Sequence, residues 1–302
     1  MIDKLEYLLA LAREQHFGRA AEVCGVTQPT FSAGIKQLEE ILGVLLARRG
    51  SRFHSFTPEG ERTLDWARRI VGDARAMRQE IRAIKSGLNG HLKIGAIPPT
   101  LATIASLTTP YRARHPGVSF TVLSRTSVEI QTQLENLELD AGLTYIDNEP
   151  VGRVRSIPLY REEFRLVTAA QSPLGDRAQV TWAEVGEIPL CLLTSDTQNR
   201  RIIDRLLRAA GGEPATTMES NAMLVLFSHV RTGQWASIMP ARFVEAFEFG
   251  SGIRAIPIAG NVTTPMVGLV VPHREPLTPL VAALVAEARR LAAAQARADL
   301  RV

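Results

Sequence analysis

The stretch that decides the fold runs from residue 17 to residue 60 and reads FGRAAEVCGVTQPTFSAGIKQLEEILGVLLARRGSRFHSFTPEG. Gly25 suits the left-handed position that ends a helix, and Thr27 suits the N-cap of the next one. Pro29 is tolerated in a first turn, where its missing N–H has no helical partner. An apolar stripe follows at helical spacing: Phe31, Ile35, Leu38 and Leu42. The sequence therefore predicts a helix that begins after Thr27 and stops at Gly43.

Small residues before that helix favour a helix-turn-helix. Ala20, Ala21 and Gly25 allow two helices to approach closely at a sharp angle. The N-terminus of the second helix presents short polar groups that fit base edges and phosphates in a major groove. We therefore predict DNA contacts for Arg19, Thr27, Gln28, Pro29, Thr30, Ser32 and Lys36.

Residues 44–57 carry a basic cluster without an acidic residue. Its members are Arg48, Arg49, Arg52 and His54. Gly50 and Ser51 supply a turn between two short extended pieces, which predicts a wing that neutralises nearby phosphates. The alternative is a small helical bundle that binds nothing, and the unopposed basic cluster argues against it.

A long helix is predicted from Thr57-Pro58-Glu59 to about Leu88. Its apolar positions alternate spacings of four and three: Thr63, Ala67, Ile70, Ala74, Met77, Ile81, Ile84 and Leu88. Such a heptad seam favours packing against a partner helix. The alternative is a helix packed on its own domain.

After Gly90, apolar strands alternate with helices. Strands are predicted at 91–97, 118–124, 139–145, 164–169, 188–193, 236–239 and 267–271. Helices are predicted at 100–114, 127–138, 198–210 and 222–232, and from about residue 277. Strand, helix, strand implies a parallel sheet with right-handed crossovers.

The motifs in residues 17–60 resemble the signature of LysR-type transcription regulators. The matching pieces are Ala20-Ala21, Val26-Thr27-Gln28-Pro29, Ser32, Ile35, Leu38-Glu39-Glu40, Leu42-Gly43 and Thr57-Pro58-Glu59-Gly60. The chain departs from the pattern at Ala33 and Gly34, where members often carry Arg or Gln. Base readout is then less predictable, and the shape of the DNA counts for more.

The resemblance implies a multidomain chain: an all-α winged helix-turn-helix at 1–58, a linker and dimerisation helix at 59–89, and an effector-binding domain at 90–302. That last domain would be α/β and similar to periplasmic binding proteins. It would have two Rossmann-like subdomains, 90–161 with 268–302 and 162–267, with crossovers near Arg161 and Pro265. The implied partners are a double-stranded DNA operator, a small-molecule effector and further copies of the chain, as a homodimer or homotetramer. RNA polymerase is a further candidate, and activation and repression both stay open.

Ligands of such folds bind at strand C-termini and helix N-termini, in the crevice. The effector-site candidates are Pro99, Thr100, Thr126, Ser127, Ser195, Gln198 and Trp235. Thr100, Thr126 and Ser195 match places where family members hold effectors. Hydroxyl donors and helix N-termini predict a small carboxylate or other anion. The alternative is that each hydroxyl only caps its own helix.

An enzyme and a solute-binding protein are the two alternatives to a regulator. A net charge of +4, only two cysteines (Cys24 and Cys191) and the absence of a signal-peptide pattern favour a cytoplasmic protein without disulfides or membrane contact. An enzyme is not expected, because no phosphate loop, dinucleotide fingerprint or nucleophile elbow occurs, and neither a metal nor a cofactor is expected. A solute-binding protein for transport would suit the C-terminal part, but the basic N-terminal module argues against it.

Overall fold

The computed structural model describes residues 1–49, 53–147, 149–150, 152–212, 216–247, 252–260 and 264–299. The chain divides into two compact units. The first comprises Met1–Asn89, Glu135–Glu138 and Arg274–Leu280, and the second comprises the other described residues from Gly90 onward.

Helices and one hairpin build the first unit. The elements are α1 (Ile2–Glu14), α2 (Phe17–Val23), α3 (Gln28–Leu42), β1 (Ala47–Arg49), β2 (Phe53–Phe56) and α4 (Pro58–Ser86). The predicted start of α3 is confirmed, since the Thr27 hydroxyl accepts a hydrogen bond from the Thr30 amide at 3.4 Å. Gly43 ends the helix with a φ of 70°. β1 and β2 pair antiparallel, as a wing requires.

The core of the first unit lies where α1, α2 and α3 meet. Phe31, Ile35 and Leu38 are fully buried there, and burying each such side chain contributes about 1.5–3 kcal/mol. The Tyr7 ring stacks on Phe31 with their centroids 5.0 Å apart. A Cβ at Gly34 would lie 2.7 Å from Tyr7 Cδ2. The glycine that departs from the family pattern thus makes room for the Tyr7 ring.

Helix α4 presents two different faces. Leu64, Ala67 and Val71 are buried in the core of the first unit. On another face, apolar side chains stay exposed: Trp66, Ile70, Met77, Ile81 and Ile84. At 100° per residue these five positions fall within one narrow arc of the helix, which we call the α4 stripe. The predicted heptad seam is therefore divided, because Ala67 and Ala74 are buried and Leu88 is half-buried, whereas its other large members are exposed: Ile70, Met77, Ile81 and Ile84.

The second unit contains two sheets with helices between the strands. The strands are β3 (Gly90–Ala96), β4 (Val118–Ser124), β5 (Ala141–Tyr145), β6 (Val154–Arg161), β7 (Phe164–Ala169), β8 (Val180–Thr181), β9 (Leu190–Leu193), β10 (Thr216–Ser220), β11 (Ser237–Pro240), β12 (Ile253–Ala259) and β13 (Met266–Pro272). The helices are a 3₁₀ turn (Pro98–Thr103), α5 (Ala105–Arg114), α6 (Ser127–Glu135), α7 (Trp182–Gly186), α8 (Gln198–Ala209), α9 (Met223–Val230), α10 (Ala241–Ala246) and α11 (Pro279–Asp299).

The first sheet has the strand order β4-β3-β5-β13-β6. The predicted parallel pairing is confirmed for β3 with β4 and with β5. It is wrong for β13, which runs antiparallel to both β5 and β6. An antiparallel neighbour needs no helical crossover, so the alternation of strands and helices that predicts parallel pairing carries no information about it.

The second sheet has the order β11-β7-β12-β8, and the parallel pair β9 and β10 joins it through a bridge between Leu190 and Ala236. The chain crosses between the sheets after β6, at residues 162–163, and again before β13. The two crossings touch, because the Glu162 amide donates to the Pro265 carbonyl at 2.8 Å. The two passes of the chain between the sheets are therefore held side by side.

Candidate functional site

The first turn of α3 is an exposed polar part of the helix-turn-helix. Thr27, Gln28, Pro29 and Thr30 are all exposed, and the Thr27 and Thr30 hydroxyls lie 2.9 Å apart. Pro29 removes one N–H from this turn, and the Thr30 amide donates to the Thr27 hydroxyl. The positive end of the helix dipole at this N-terminus favours an anion.

Two further predicted residues extend this surface along α3. Ser32 is half-buried, and Lys36 is exposed one turn further on. The Lys36 ammonium lies 3.8 Å from the Glu40 carboxylate in an exposed pair that leaves it accessible to a phosphate.

Helix α2 begins at a histidine cap that the sequence analysis did not identify. His16 Nδ1 accepts hydrogen bonds from the amides of Gly18 and Arg19 at 3.1 and 3.3 Å. The Arg19 guanidinium is exposed and donates to the Glu14 carbonyl at 2.7 Å. This hydrogen bond therefore fixes the orientation of the Arg19 guanidinium before it contacts DNA.

The wing carries two of its predicted basic residues on exposed positions. Arg48 on β1 and His54 on β2 are both exposed. Arg49 ends β1, but its side chain and the whole of Arg52 lie outside the described residues.

A buried carboxylate holds the start of the wing. Glu39 is 5% exposed, and its Oε1 accepts from the amides of Leu46 and Ala47 at 3.0 and 3.3 Å. Because Glu39 lies on α3, it fixes β1 relative to that helix. The sequence showed Glu39 only as a family-pattern residue and gave no sign of this role.

The motif Thr57-Pro58-Glu59-Gly60 holds the other end of the wing. The Thr57 hydroxyl donates to the Leu45 carbonyl at 2.6 Å and accepts from the Gly60 amide at 2.9 Å. A Cβ at residue 60 would lie only 2.0 Å from the Leu46 carbonyl oxygen. Glycine is therefore required at this crossing, which explains why it belongs to the motif.

In the second unit, a recess opens between α6, β5 and the first turn of α8. Its cavity volume is about 50 Å³. One part of the lining is apolar: Val128, Ile130, Leu134, Val154 and Val270. The other part is polar and includes Ser127, Thr144, Glu149 and Gln198. A small molecule with an apolar part and a polar end fits this division.

Two buried polar groups in the recess lack a hydrogen-bond partner within the described part of the chain. They are Ser127 Oγ and Gln198 Nε2. Gln198 is 2% exposed, and its Oε1 accepts from the Thr144 hydroxyl at 3.4 Å. A buried donor without a partner costs about 1–3 kcal/mol. A ligand that accepts hydrogen bonds would recover this cost.

The first turn of α8 binds β5 and the residues that follow it. Asn199 Nδ2 donates to the Tyr145 hydroxyl at 3.0 Å. The Arg201 guanidinium binds Glu149 through two parallel hydrogen bonds of 2.8 Å each. Donation by Arg201 lowers the pKa of Glu149, so this carboxyl group is ionised. Three contacts, Thr144–Gln198, Tyr145–Asn199 and Glu149–Arg201, thus connect strand β5 of the first sheet to a helix associated with the second.

The predicted effector residues do not all lie at this recess. Ser127 and Gln198 line it. Thr100 is fully buried, and its hydroxyl donates to the Ile97 carbonyl at 3.0 Å. Thr126 and Glu129 form the capping box that their spacing predicts.

The other three candidates lie elsewhere. Pro99 is buried in the 3₁₀ turn, and Ser195 is exposed in the turn before α8. Trp235 Nε1 donates to the Thr217 hydroxyl at 2.9 Å. Effector binding by any of the seven stays a prediction.

One buried acid lies at the crossing between the sheets. Glu162 is fully buried, and neither of its carboxyl oxygens has a hydrogen-bond partner in the described residues. Burial raises the pKa of Glu162 to about 8, against the lowering effect of Arg242. The acid is therefore mostly uncharged at neutral pH. The sequence showed only an adjacent Glu162-Glu163 pair, which is usually solvated.

Both thiols lie in surroundings that disfavour ionisation. Cys191 is fully buried in β9, where burial raises the pKa of its thiol to about 11. Cys24 is half-buried, and desolvation raises its pKa as well. Within the described residues, no group of side chains could hold a metal ion, and no helix has the length and apolar character that crossing a bilayer requires.

Two protein families match the chain. The profile described as "Bacterial regulatory helix-turn-helix protein, lysR family" matches residues 2–61. The profile described as "LysR substrate binding domain" matches residues 85–293. Together they span both units.

Named relatives include peroxide-response regulators. The chain is 28% identical over 281 residues to the "DNA-binding transcriptional dual regulator OxyR" of Escherichia coli strain K12, covering 91% of this chain and 90% of the relative. It is 26% identical over 257 residues to the "Hydrogen peroxide-inducible genes activator" of Dickeya chrysanthemi, covering 85% and 84%.

Solved structures of similar proteins share the fold. A full-length OxyR variant from Pseudomonas aeruginosa is 27% identical, with a TM-score of 0.76 over 96% of this chain and 94% of that one. Full-length CbnR complexed with its target DNA is 21% identical, with a TM-score of 0.62 over 97% and 100%, and supports the fold alone. With both modules matched in order over most of its length, the chain belongs to the LysR family of DNA-binding transcription regulators and is not an enzyme.

Proposed function

We propose that this regulator changes its DNA binding when a small carboxylate enters the recess beside α8. The observation that carries the proposal is the pair of buried, unpartnered groups, Ser127 Oγ and Gln198 Nε2, at one side of a partly apolar recess. A carboxylate has two oxygens that accept hydrogen bonds, and a short aliphatic chain would meet the apolar lining.

For the DNA contacts, we propose that the first turn of α3 enters the major groove. Thr27, Gln28 and Thr30 would meet base edges and phosphates there, while Lys36 and Arg48 bind the phosphate backbone. Arg19, Pro29, Ser32, Arg49, Arg52 and His54 remain part of the proposed surface. The exposure of the first turn and of Arg48 supports this assignment.

The operator-bound form is proposed to be a homodimer joined through the α4 stripe. Five large apolar side chains exposed along one arc of a helix favour burial against another helix. Two recognition helices related by a two-fold axis would then read a two-fold operator. We extend this to a homotetramer from the family plan alone, and place the protein in the cytoplasm with its DNA.

The mechanism we propose is a shift between two arrangements of the effector-binding unit. A ligand in the recess touches β5 and α6 on one side and Gln198 of α8 on the other. A ligand that binds more tightly to one of two relative positions of these elements raises the population of that position. The change would alter how the dimers assemble and therefore how they bend the DNA.

Peroxide sensing is the second candidate, because several relatives are named "Hydrogen peroxide-inducible genes activator". Thiol oxidation by peroxide requires an accessible thiolate. Burial of Cys191 and desolvation of Cys24 both work against thiolate formation. We therefore favour a bound effector over thiol oxidation as the signal for this chain.

The test uses full-length protein and a library of genomic fragments at low ionic strength. We expect specific retention whose affinity falls steeply with salt, because phosphate contacts release counterions. Arg48→Ala should weaken binding to all fragments and lower the salt slope by about one. Arg177→Ala serves as the matched control, since it removes an exposed arginine of the effector-binding unit that pairs with Glu184.

The same assay separates the two signals. Acetate or butyrate should change the affinity of the retained fragments, and hydrogen peroxide should not. If no fragment is retained under any of these conditions, the proposed DNA contacts are wrong. If only peroxide changes the affinity, the proposed carboxylate effector is wrong.

A further inference from the structure

The Arg201 guanidinium is arranged as a carboxylate-binding fork on Glu149, a residue that lines the recess. Its Nε and Nη2 each donate to one oxygen of Glu149 at 2.8 Å. Its Nη1 donates separately to the Asp196 carbonyl at 2.7 Å. Because that carbonyl belongs to the same turn of chain, the fork would stay oriented if Glu149 moved away. Two parallel bonds of this kind are the geometry in which arginine recognises a free carboxylate.

The carboxylate that now occupies the fork lines the recess itself. An anionic effector entering the recess would meet the negative charge of Glu149, and its favourable partners Ser127 and Gln198 carry no charge. Repulsion would oppose binding as long as Glu149 stays in place. The obstacle disappears if the incoming carboxylate takes the place of Glu149 on Arg201.

Partial exposure makes such an exchange feasible. The side chains of Arg201 and Glu149 are 36% and 29% exposed, so solvent and solutes reach both. Ion pairs that are partly exposed contribute little net free energy, because water competes for both partners. A displaced Glu149 can be hydrated at the surface, whereas the effector gains the fork together with the two unpartnered donors.

We propose that Glu149 is a built-in competitor for the effector, which binds by displacing the Glu149 carboxylate from the Arg201 fork. The proposal rests on the proposed carboxylate effector and adds how binding is sensed. Exchange breaks the ion pair that joins α8 to the segment after β5. The arrangement of these elements then depends on whether the fork holds the internal carboxylate or the external one.

Calorimetry on the full-length chain tests the exchange, with acetate and butyrate as probes. Glu149→Gln removes the competitor and should tighten butyrate binding by roughly 3- to 10-fold. Arg201→Gln removes the fork and should weaken it at least about 10-fold, and Arg201→Lys, which keeps the charge without the fork, should recover only part of the loss. Thermal unfolding of each variant verifies that it is folded.

Matched controls isolate the charge. Butyramide has nearly the shape of butyrate but no charge, so Glu149→Gln should leave its affinity unchanged. Glu163→Gln removes an exposed carboxylate that pairs with Arg165 in the same unit, and it should affect neither probe. DNA affinity is measured in addition, without any ligand. The affinity of Glu149→Gln should then differ from that of the parent and shift toward the affinity of the parent saturated with butyrate.

Each adverse result has its own meaning. Equal butyrate affinity in the parent and in Glu149→Gln would overturn the exchange and leave a carboxylate effector standing. No binding of acetate or butyrate to either protein up to about 100 mM, an affinity too weak to signal, would overturn both. Binding of butylamine that Glu149→Gln abolishes would also overturn the exchange, because Glu149 would then be the counter-ion of a cationic ligand.

Discussion

At the scale of single residues, the helix-turn-helix depends on a few buried polar groups and close approaches. Glu39 is the clearest example, because its carboxylate lies inside the first unit and accepts from two wing amides. Gly60 is another, since no side chain fits against the Leu46 carbonyl. Glu39 fixes the start of the wing relative to α3, and Gly60 allows α4 to approach the same part of the chain.

Replacing Glu39 should therefore disturb the structure of the wing more than that of the helices. Glu39→Ala leaves the Leu46 and Ala47 amides without their acceptor, and we expect the free energy of unfolding to fall by about 2 kcal/mol. DNA affinity should fall as well, because Arg48 lies on the strand that begins there. Chemical denaturation and fluorescence anisotropy with an operator fragment measure the two effects.

Glu40→Ala is the matched control for this change. Glu40 is the neighbouring residue on α3, it is exposed, and it pairs with Lys36 at 3.8 Å. We expect it to change stability by less than about 0.5 kcal/mol. Similar losses in both variants would mean that removing any carboxylate from α3, rather than the buried acceptor in particular, explains the result.

The residue scale also shows what the sequence could predict. Caps and turns are local, so Thr27, Gly25 and Gly43 were predicted with their roles. The pair of Glu149 and Arg201 is separated by 52 positions, and no local pattern joins them. The same holds for the contact between Glu39 and the wing amides, which depends on how α3 and β1 meet in space.

At the scale of elements, α4 is the part whose surface does not suit a single chain in water. The α4 stripe exposes Trp66 at 53%, Met77 at 59% and Ile84 at 76%. The heptad pattern predicted an apolar seam, but it included Ala67 and Ala74 and missed Trp66. The pattern could not tell which residues pack on the core of the first unit, because that depends on the position of α1.

Charges placed on the stripe should separate the proposed dimer. We expect Ile81→Asp with Ile84→Asp to shift the sedimentation coefficient from dimer toward monomer, because two desolvated carboxylates per helix would oppose association. Operator affinity should fall at least about 10-fold, since each monomer then binds one half-site.

Arg82→Asp provides the control for this prediction. Arg82 is exposed on α4 roughly opposite the stripe, so a new carboxylate there should leave association unchanged. A double variant that sediments like the parent at every protein concentration would exclude the stripe as the dimer contact.

At the scale of the whole molecule, the alternation of strands and helices predicted the α/β class of the second unit. It did not predict β6, β8, β10 or β12. Residues such as Thr216 to Ser220 alternate between half-buried and exposed and contain little apolar sequence. These strands are recognised only through their neighbours, which sequence patterns do not identify.

The buried acid at the crossing should make the stability of the second unit depend on pH. Its folded pKa of about 8 lies above the ordinary value of 4.5. Below 4.5 the acid is protonated in both states, and as pH rises to 8 the unfolded chain alone gains the charge. The stabilising contribution is therefore full at low pH and is lost between about 4.5 and 8.

Glu162→Gln removes this titration. We expect the variant to gain on the order of a few kcal/mol over the parent at pH 8.5 and little at pH 4.5, since one pKa unit corresponds to about 1.4 kcal/mol. Thermal unfolding across this pH range measures the difference. Glu163→Gln is the control, because Glu163 is exposed. A Glu162→Gln gain that stays constant with pH would contradict an uncharged Glu162 in the folded state.

The 2.8 Å bond between the Glu162 amide and the Pro265 carbonyl joins the two passes of the chain, next to a 2.7 Å bond from the Arg161 guanidinium to the Thr264 carbonyl. Such a connection acts as a hinge, because the two sheets can rotate about it but resist sliding apart. If rotation widens the space between the sheets on one side of the hinge, it must narrow the space on the other side. A ligand of only a few atoms could therefore move the ends of the sheets that lie far from the hinge through a distance larger than its own size.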